Sequence, residues 1–493
     1  MTSTIPSKPG AGERLGTFIL FLFFSCFAVV GLVTAVLAVR AFLADDFRQG
    51  GILSVVALTF GGVGFGMMVF TVEGRKRARK ALELRSAFPS EPWKWREDWS
   101  AGAVPSTTKR TMWFAWAFSI LWNLISIPLL FVLPTEILDK GNYPALLGLL
   151  FPLVGIGLLV WAVRETLEWR TFGQSVFRME SVPGVIGGEM SGTVDIPASF
   201  DPGQVFDARL TCVNRRTTGS GKNSSTSERI LWEDKQESVR SLARPEAMGS
   251  GLAVRFAIPP DCLQTDDTNP NDRILWRLET HAAVPGVDYD ATFDVPVFHT
   301  PASRAGKPGE ESPEEPPAQY QPSADAGISF DVSPAGGTVV LVRPARAIGA
   351  ILALGAFLVV WTGVVVLLVH LDAPFFFPLL FGLFDFLLVY GFLQLAIGSY
   401  RIVIEGGFLT LDNAVAGISF KTVMPLDEIE TIKPSIGMQS GKTVFYSILV
   451  TRRGGRRSTL HVPLREKHDA EWLAAELRKR AGIHTPVPQT SLH

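Results

Sequence analysis

The sequence predicts an α-helical multi-pass membrane protein of about six spans, with a cytoplasmic antiparallel β-sandwich inserted after the fourth span and a small β-barrel plus helix at the C-terminal end. Three observations carry this expectation. The 493-residue chain is 47% hydrophobic and 19% charged, and its apolar residues fall in blocks long enough to cross a hydrocarbon core of roughly 30 Å. After the fourth block, and again after the last, the apolar period changes from that of a helix to the alternation of a strand. Lysine and arginine crowd one connector and are almost missing from others. The formal net charge of −1 conceals that segregation.

A tail over 1–15 precedes the first block, about Gly16 to Leu43, which reads FILFLFFSCFAVVGLVTAVLAV and carries no charge before Arg40. It is too long for the apolar core of a signal peptide, and a second block, Gly51 to Val72, follows soon after. These two form a hairpin over 16–72. Blocks at about Met112 to Leu133 and Pro144 to Val163 form a second hairpin over 112–166. Blocks at about Ala347 to Val369 and Phe375 to Ile397 form a third over 347–397.

The connector over 73–111 holds Arg75, Lys76, Arg77, Arg79, Lys80, Arg85, Lys94, Arg96, Lys109 and Arg110, whereas the connector after the third span holds only Lys140. HLDAPFFFP, after the fifth span, has no lysine or arginine. The positive-inside rule therefore puts the basic connector, both termini, the insert and the tail in the cytoplasm. The same connector contains EPWKWREDW, with Trp93, Trp95 and Trp99. Tryptophan favours the headgroup region, and each basic side chain near an anionic inner leaflet adds about 1 kcal/mol before screening. The membrane-interface candidates are therefore Arg75, Lys76, Arg77, Arg79, Lys80, Trp93, Trp95, Arg96 and Trp99, with the bilayer as partner. Two other roles fit the same residues: docking of the tryptophans into the sandwich, and charges that only enforce topology.

Strand alternation fills 180–300. VFDARLTCVN puts Phe206, Ala208, Leu210 and Cys212 on one face; GLAVRFAIP repeats this with Leu252, Val254, Phe256 and Ile258. DRILWRLETHA gives Ile274, Trp276, Leu278 and Thr280, and YDATFDVPVF gives Tyr289, Ala291, Phe293, Val295 and Val297. Turn-rich segments separate these runs and no helical pattern alternates with them, so a sandwich is expected rather than a doubly wound sheet. TTGSGKNSS resembles a phosphate-binding loop only superficially: Arg216 and Asn223 stand where glycine and Ser/Thr are needed, and a strand, ERILWE, follows. It reads as a hairpin tip. Cys26, Cys212 and Cys262 suggest reduced thiols; a Cys212–Cys262 bridge would require the opposite orientation.

Residues 301–327, rich in Pro, Glu and Ser, read as a disordered linker, and 328–346 as a strand pair leading to the fifth span. From 398 to 482, alternating strands end in a helix from about Lys467 to Ala481; 483–493 is a tail. Strands closed by one amphipathic helix resemble the pleckstrin-homology-like (PH-like) domains of bacterial membrane proteins. The paired spans, PWKWREDW, RILWRLE and FDVPVF together resemble a family of uncharacterised proteobacterial multi-pass inner-membrane proteins whose insert is similar to arrestin-like sandwiches. The resemblance implies an inner-membrane location and brings no catalytic residue or cofactor with it.

Candidate chemistry is sparse. The histidines are scattered without the spacing of a zinc hydrolase, and no nucleophile elbow, dinucleotide fingerprint or paired-cysteine motif occurs. No catalytic, cofactor-binding or metal residue is therefore assigned, and so short a basic patch beside a span argues against nucleic acid. The intramembrane polar residues are Asn123, Asp385 and Gln394. An ionised Asp385 in mid-span would cost about 2.5 to 3.5 kcal/mol, so it is expected to be hydrogen-bonded glue, to lie nearer the interface, or to form an ion or proton site with Asn123 or Gln394. The expected function is a non-enzymatic scaffold presenting cytoplasmic β domains to protein partners or sensing the membrane surface. A transporter or channel using Asp385, and a membrane enzyme of unspecified chemistry, are the alternatives.

Overall fold

The computed structural model describes residues 11–141, 143–201, 203–219, 224–240, 242–243, 249–303, 320–322, 326–333, 336–343, 348–370, 374–415, 418–441 and 443–483. The chain forms two compact units, Met1–Gly309 and Glu310–His493. Among the described residues, six helices are long and apolar enough to cross a membrane.

The first unit opens with α1 (Ala11–Leu43) and α2 (Phe47–Ala87), an antiparallel pair in direct contact. Their interface is made of small residues. A Cβ built on Gly31 would lie 2.4 Å from the Gly61 Cα, and one on Gly64 would lie 2.4 Å from the Ala28 nitrogen. Such backbone approach supplies the packing that hydrophobicity cannot provide in lipid. The candidate span within α2, 39 residues, rises by about 58 Å, nearly twice a hydrocarbon core of roughly 30 Å. A bilayer of that thickness would leave its basic C-terminal turns uncovered. A short helix α3 (Glu97–Ser100) and strand β1 (Ala103–Pro105) lead into α4 (Thr108–Pro134), which pairs with α5 (Leu150–Phe172).

The remaining strands of this unit are β2 (Val176–Met179), β3 (Gly184–Val185), β4 (Glu189–Ile196), β5 (Val205–Thr218), β6 (Ser225–Arg240), β7 (Leu242–Ala243), β8 (Ser250–Ala257), β9 (Asp266–Asn269), β10 (Asp272–Ala282), β11 (Tyr289–Val295) and β12 (Val297–Phe298). One antiparallel sheet has the order β1-β2-β4-β8-β7 and the other β11-β10-β5-β6, with β9 beside β10. A single core lies between them: Phe177, Met190, Val194, Leu252 and Phe256 from the first sheet meet Phe206, Leu210, Trp276, Leu278 and Phe293 from the second. The expected inward faces are buried as read, including Cys212 and Thr280, while Ile274 is half-buried. β5 and β6 are antiparallel neighbours around TTGSGKNSS, and β6 follows that turn as a strand; residues 220–223, Lys222 and Asn223 included, lie outside the described residues.

Three boundaries differ from expectation. The first sheet begins inside the connector, because β1 pairs with β2 at Ala103↔Arg178 and Pro105↔Val176. The strand read across YDATFDVPVF breaks at Pro296, which has no N–H for a ladder; β12 instead pairs in parallel with β3. A strand, β9, lies within the segment read as turns.

In the second unit β13 (Ile328–Val332) and β14 (Thr338–Val342) precede the helical hairpin α6 (Ile348–His370) and α7 (Phe376–Ile397). β15 (Ser399–Glu405), β16 (Phe408–Val415), β17 (Ile418–Pro425), β18 (Ile429–Ser440), β19 (Thr443–Arg452), β20 (Arg457–Leu464) and α8 (Lys467–Ala481) follow. The strand pair expected at 328–346 leads to the helical hairpin and belongs to a larger sheet, β13-β14-β15-β16-β17; β18-β19-β20 form another. Thus α6 and α7 are inserted between adjacent strands β14 and β15 of one sheet. Helix α8 buries Ala470, Leu473, Ala474 and Leu477, and its Trp472 meets Phe330 of β13 edge to face at 5.6 Å. Most of the linker, 304–319 and 323–325, lies outside the described residues, as do tail residues 1–10 and 484–493. Tyr320, within the same linker reading, donates its hydroxyl to Asp469 Oδ1 at 2.8 Å.

Candidate functional site

A set of specific contacts in the first unit lies where the ends of α2, α4 and α5 meet the two sheets. After α2, Trp95 Nε1–H donates to the Phe88 carbonyl at 2.8 Å and closes the turn. Arg85 lies 4.8 Å from the Trp95 ring centroid and donates to Asp267 Oδ1 of β9 at 3.3 Å. Lys80 pairs with Glu97 at the start of α3. The helical extension of α2 is therefore held to the connector and to the second sheet by charge pairs that are individually small but share one rigid helix.

Trp99 is 4% exposed and belongs to the core between the sheets. Its Nε1–H donates to the Asp294 carbonyl at 2.8 Å, and its ring meets Phe298 edge on at 6.3 Å. Arg96 covers the ring at 4.3 Å and donates to both Asp98 carboxylate oxygens at 3.2 and 2.6 Å. Trp93, half-buried, approaches Phe298 at 5.7 Å. The interface assignment is corrected for Trp99: a ring inside a protein core, its N–H already bonded, cannot occupy the headgroup layer. Arg75, Lys76, Arg79 and Lys80 are exposed on α2, Lys76 pairing with Glu73 at 3.0 Å. The Arg77 side chain lies outside the described residues.

The other two helices are tied in the same region. Ser106 N–H donates to the Ser175 carbonyl at 2.8 Å, and Thr107 N–H to the Thr292 carbonyl at 3.0 Å, just before α4 starts. At the exit of α5, Glu168 is 8% exposed and accepts the Asp290 backbone N–H, while Arg164 pairs with Asp288 at 3.5 Å. Phe172 stacks on Phe200 and meets Tyr289 edge on. Tyr289 donates to Ser175 Oγ at 3.0 Å, and burial pushes its phenol up to about 12.

The outer face of the second sheet carries a charge ladder. Arg277 makes a two-pronged contact with Glu228 at 2.7 and 2.9 Å, Arg215 Nε adds one at 2.6 Å, and Arg209 pairs with Glu233. The Arg277 hydrogen bonds, and then Arg215, hold Glu228 down to about 2 despite partial burial. This ladder is a satisfied ionic face without a reactive group. Burial pushes the Cys212 thiol up to about 12, away from thiolate chemistry. His281 Nδ1 lies 2.9 Å from Asp290 Oδ1 on an exposed surface, and among the described residues no nucleophile is hydrogen-bonded to that histidine. Among them no group of three or more His, Cys, Asp or Glu side chains could hold a metal ion.

The three polar residues of the candidate spans each have local partners. Asn123 Nδ2 donates to the Gly155 carbonyl at 3.1 Å, joining α4 to α5. Asp385 Oδ1 accepts the Thr362 hydroxyl at 2.9 Å, joining α7 to α6. Gln394 lies at the end of α7, where Nε2 donates to the Tyr400 hydroxyl at 2.9 Å and to Asn413 Oδ1 at 3.2 Å. Burial raises the Tyr400 phenol above its ordinary value.

No family model matches the chain, and no curated protein is similar to it. Among solved structures, the crystal structure of Spo0M, a sporulation control protein from Bacillus subtilis, aligns with 62% of this chain and 97% of its own at 10% identity and a TM-score of 0.20. A superposition that loose carries no argument about fold or activity.

Proposed function

We propose that the chain is a membrane-anchored scaffold whose two β regions face the cytoplasm of a bacterial inner membrane and present binding surfaces to protein partners. In this reading the two sheets of the first unit are an arrestin-like sandwich, and the sheets and helix of the second are a PH-like domain. The observation that carries the proposal is the docked connector: three helix ends are fastened to one β body through Trp99, Glu168 and the Ser106–Ser175 pair. Rigid attachment suits display of a surface. A photo-reactive residue at exposed Arg229 or Leu231 of β6 should give a discrete adduct with one protein in intact cells. Absence of any protein adduct at both positions would contradict the proposal.

The transporter reading rests on Asp385 and Thr362, a carboxyl and a hydroxyl facing each other between two spans. The scaffold reading treats the pair as helix glue, worth about 1 kcal/mol. Asp385→Asn keeps a hydrogen-bonding side chain without the titratable group, so it should melt within about 1 °C to 2 °C of the parent in detergent, with Asp385→Leu lower. In proteoliposomes neither parent nor variant should pass protons above background. Proton flux present in the parent and lost in the Asn variant would establish transport instead.

A further inference from the structure

Thr362 is the sole hydroxyl of α6 and Asp385 the sole carboxyl of α7, in two helices that are otherwise largely apolar. The Thr362 hydroxyl donates to Asp385 Oδ1 at 2.9 Å, and among the described residues Asp385 makes no other hydrogen bond or ion pair. The pair is not enclosed: Thr362 is exposed, Asp385 half-buried, and neither helix has a buried residue. Asn123 shows the other arrangement, on the α4–α5 pair, where Ser119, Ser126, Gly155 and Ala162 are all buried. The two sides of the α6–α7 hairpin also differ. On one, Trp361 stacks on Phe381 and meets Phe384 edge on, each at 5.1 Å, and its Nε1–H donates to the Phe381 carbonyl at 3.3 Å. Thr362, about 100° further round α6, lies toward the other side. There Gly382, one turn before Asp385, has nothing within 4 Å of a built Cβ, and Val359 and Val366, each within about a turn of Thr362, stand exposed.

A carboxyl and a hydroxyl open to the side at mid-span meet acyl chains, which neither donate nor accept a hydrogen bond. In its uncharged form a carboxyl donates from one oxygen while accepting on the other, and a threonine oxygen accepts as well as donates. After the Thr362–Asp385 bond the pair thus retains a donor and an acceptor, and what matches it is another such pair. A second copy inserted in the same direction carries that pair at the same depth. A twofold axis along the bilayer normal then sets the two against each other, donor to acceptor, with no further requirement on sequence. Gly382 beside them leaves room for the backbones to approach. We propose that the α6–α7 hairpin is a homodimer interface: a second copy of this chain packs on the side that carries Thr362, Asp385 and Gly382, and each Asp385 carboxyl donates to the Thr362 oxygen of the other copy. A different membrane protein would need a polar group at that depth by its own sequence; a copy has it by symmetry. The inference is independent of the scaffold reading and holds whichever side of the membrane the β regions occupy.

The test is disulfide cross-linking of the full chain in native membranes. Gly382→Cys, oxidised with copper phenanthroline, should give a dimer joined to itself at position 382. The parent, which carries Cys26, Cys212 and Cys262, sets the background. The yield should exceed by at least about fivefold both that background and the yield from Leu380→Cys, a position about 200° away round the same helix. Adding Thr362→Val together with Asp385→Leu should cut the yield at least about tenfold. Both changes make the spans more apolar, so membrane insertion is not what is lost. Adding Asp385→Asn instead, which still donates and accepts, should leave the yield within about threefold. No dimer above the parent, equal yield from Leu380→Cys, a position-382 disulfide to a different protein, a yield unchanged by the apolar pair, or Asp385→Asn as damaging as that pair would overturn the assignment.

Discussion

Trp99→Ala should destabilise the first unit by about 3 to 5 kcal/mol and expose the connector to protease, the cost of emptying a tryptophan site in a packed core. The expectation follows from its 4% exposure, its bond to the Asp294 carbonyl and its contacts with Arg96 and Phe298. Trp95→Ala is the internal comparison. Trp95 is half-buried against its own loop, so its loss should cost roughly 1 to 2 kcal/mol. The assay is limited proteolysis of purified protein in mild detergent, where no bilayer is present. Protection of residues 88–102 in the parent, lost in Trp99→Ala, is the expected outcome. A connector cleaved as fast in the parent as in the variant would mean that only the bilayer holds it.

Gly64→Leu should disrupt the α1–α2 pair at the upper end of the roughly 1 to 3 kcal/mol typical of overpacking, because the atoms in its way are backbone. A Cβ there would lie 2.4 Å from the Ala28 nitrogen and 2.9 Å from the Phe24 carbonyl oxygen, and neither can move without shifting α1. Gly66, two residues on along the same helix, has nothing within 4 Å of a built Cβ. Gly66→Leu should therefore be tolerated. The readout is the melting temperature in detergent, with a cysteine pair across α1 and α2 to report separation. Equal damage from both substitutions would mean that the helix contact at Gly64 is not as described.

Much of the β structure was legible because strand alternation is local. Phe206, Leu210, Val254, Phe256, Trp276 and Phe293 each adjoin a polar neighbour, and all six are buried. The pairing of β1 with β2 was not legible. β1 has three residues, too few to show a period, and its partner lies beyond a whole helical hairpin. The same distance hid the join between β14 and β15 across α6 and α7. Trp99 was misread for a different reason: an amphipathic ring beside basic residues suits a headgroup layer and a protein core edge equally well. The short apolar run Ala101 to Pro105 immediately after it was the available signal, since a chain returning to lipid has no need of a strand there. Glu168 gave none, because its burial comes from β11, more than a hundred residues further on.

The central claim is that both β regions stand on the cytoplasmic side, carried by the arginine and lysine bias of the span ends. Reporter fusions after Thr300 and after Gly482 test it most directly, one set with an enzyme active only in the periplasm and one with a fluorescent protein that folds only in the cytoplasm. The account predicts fluorescence and no periplasmic activity at both positions; periplasmic enzyme activity at either one would contradict it.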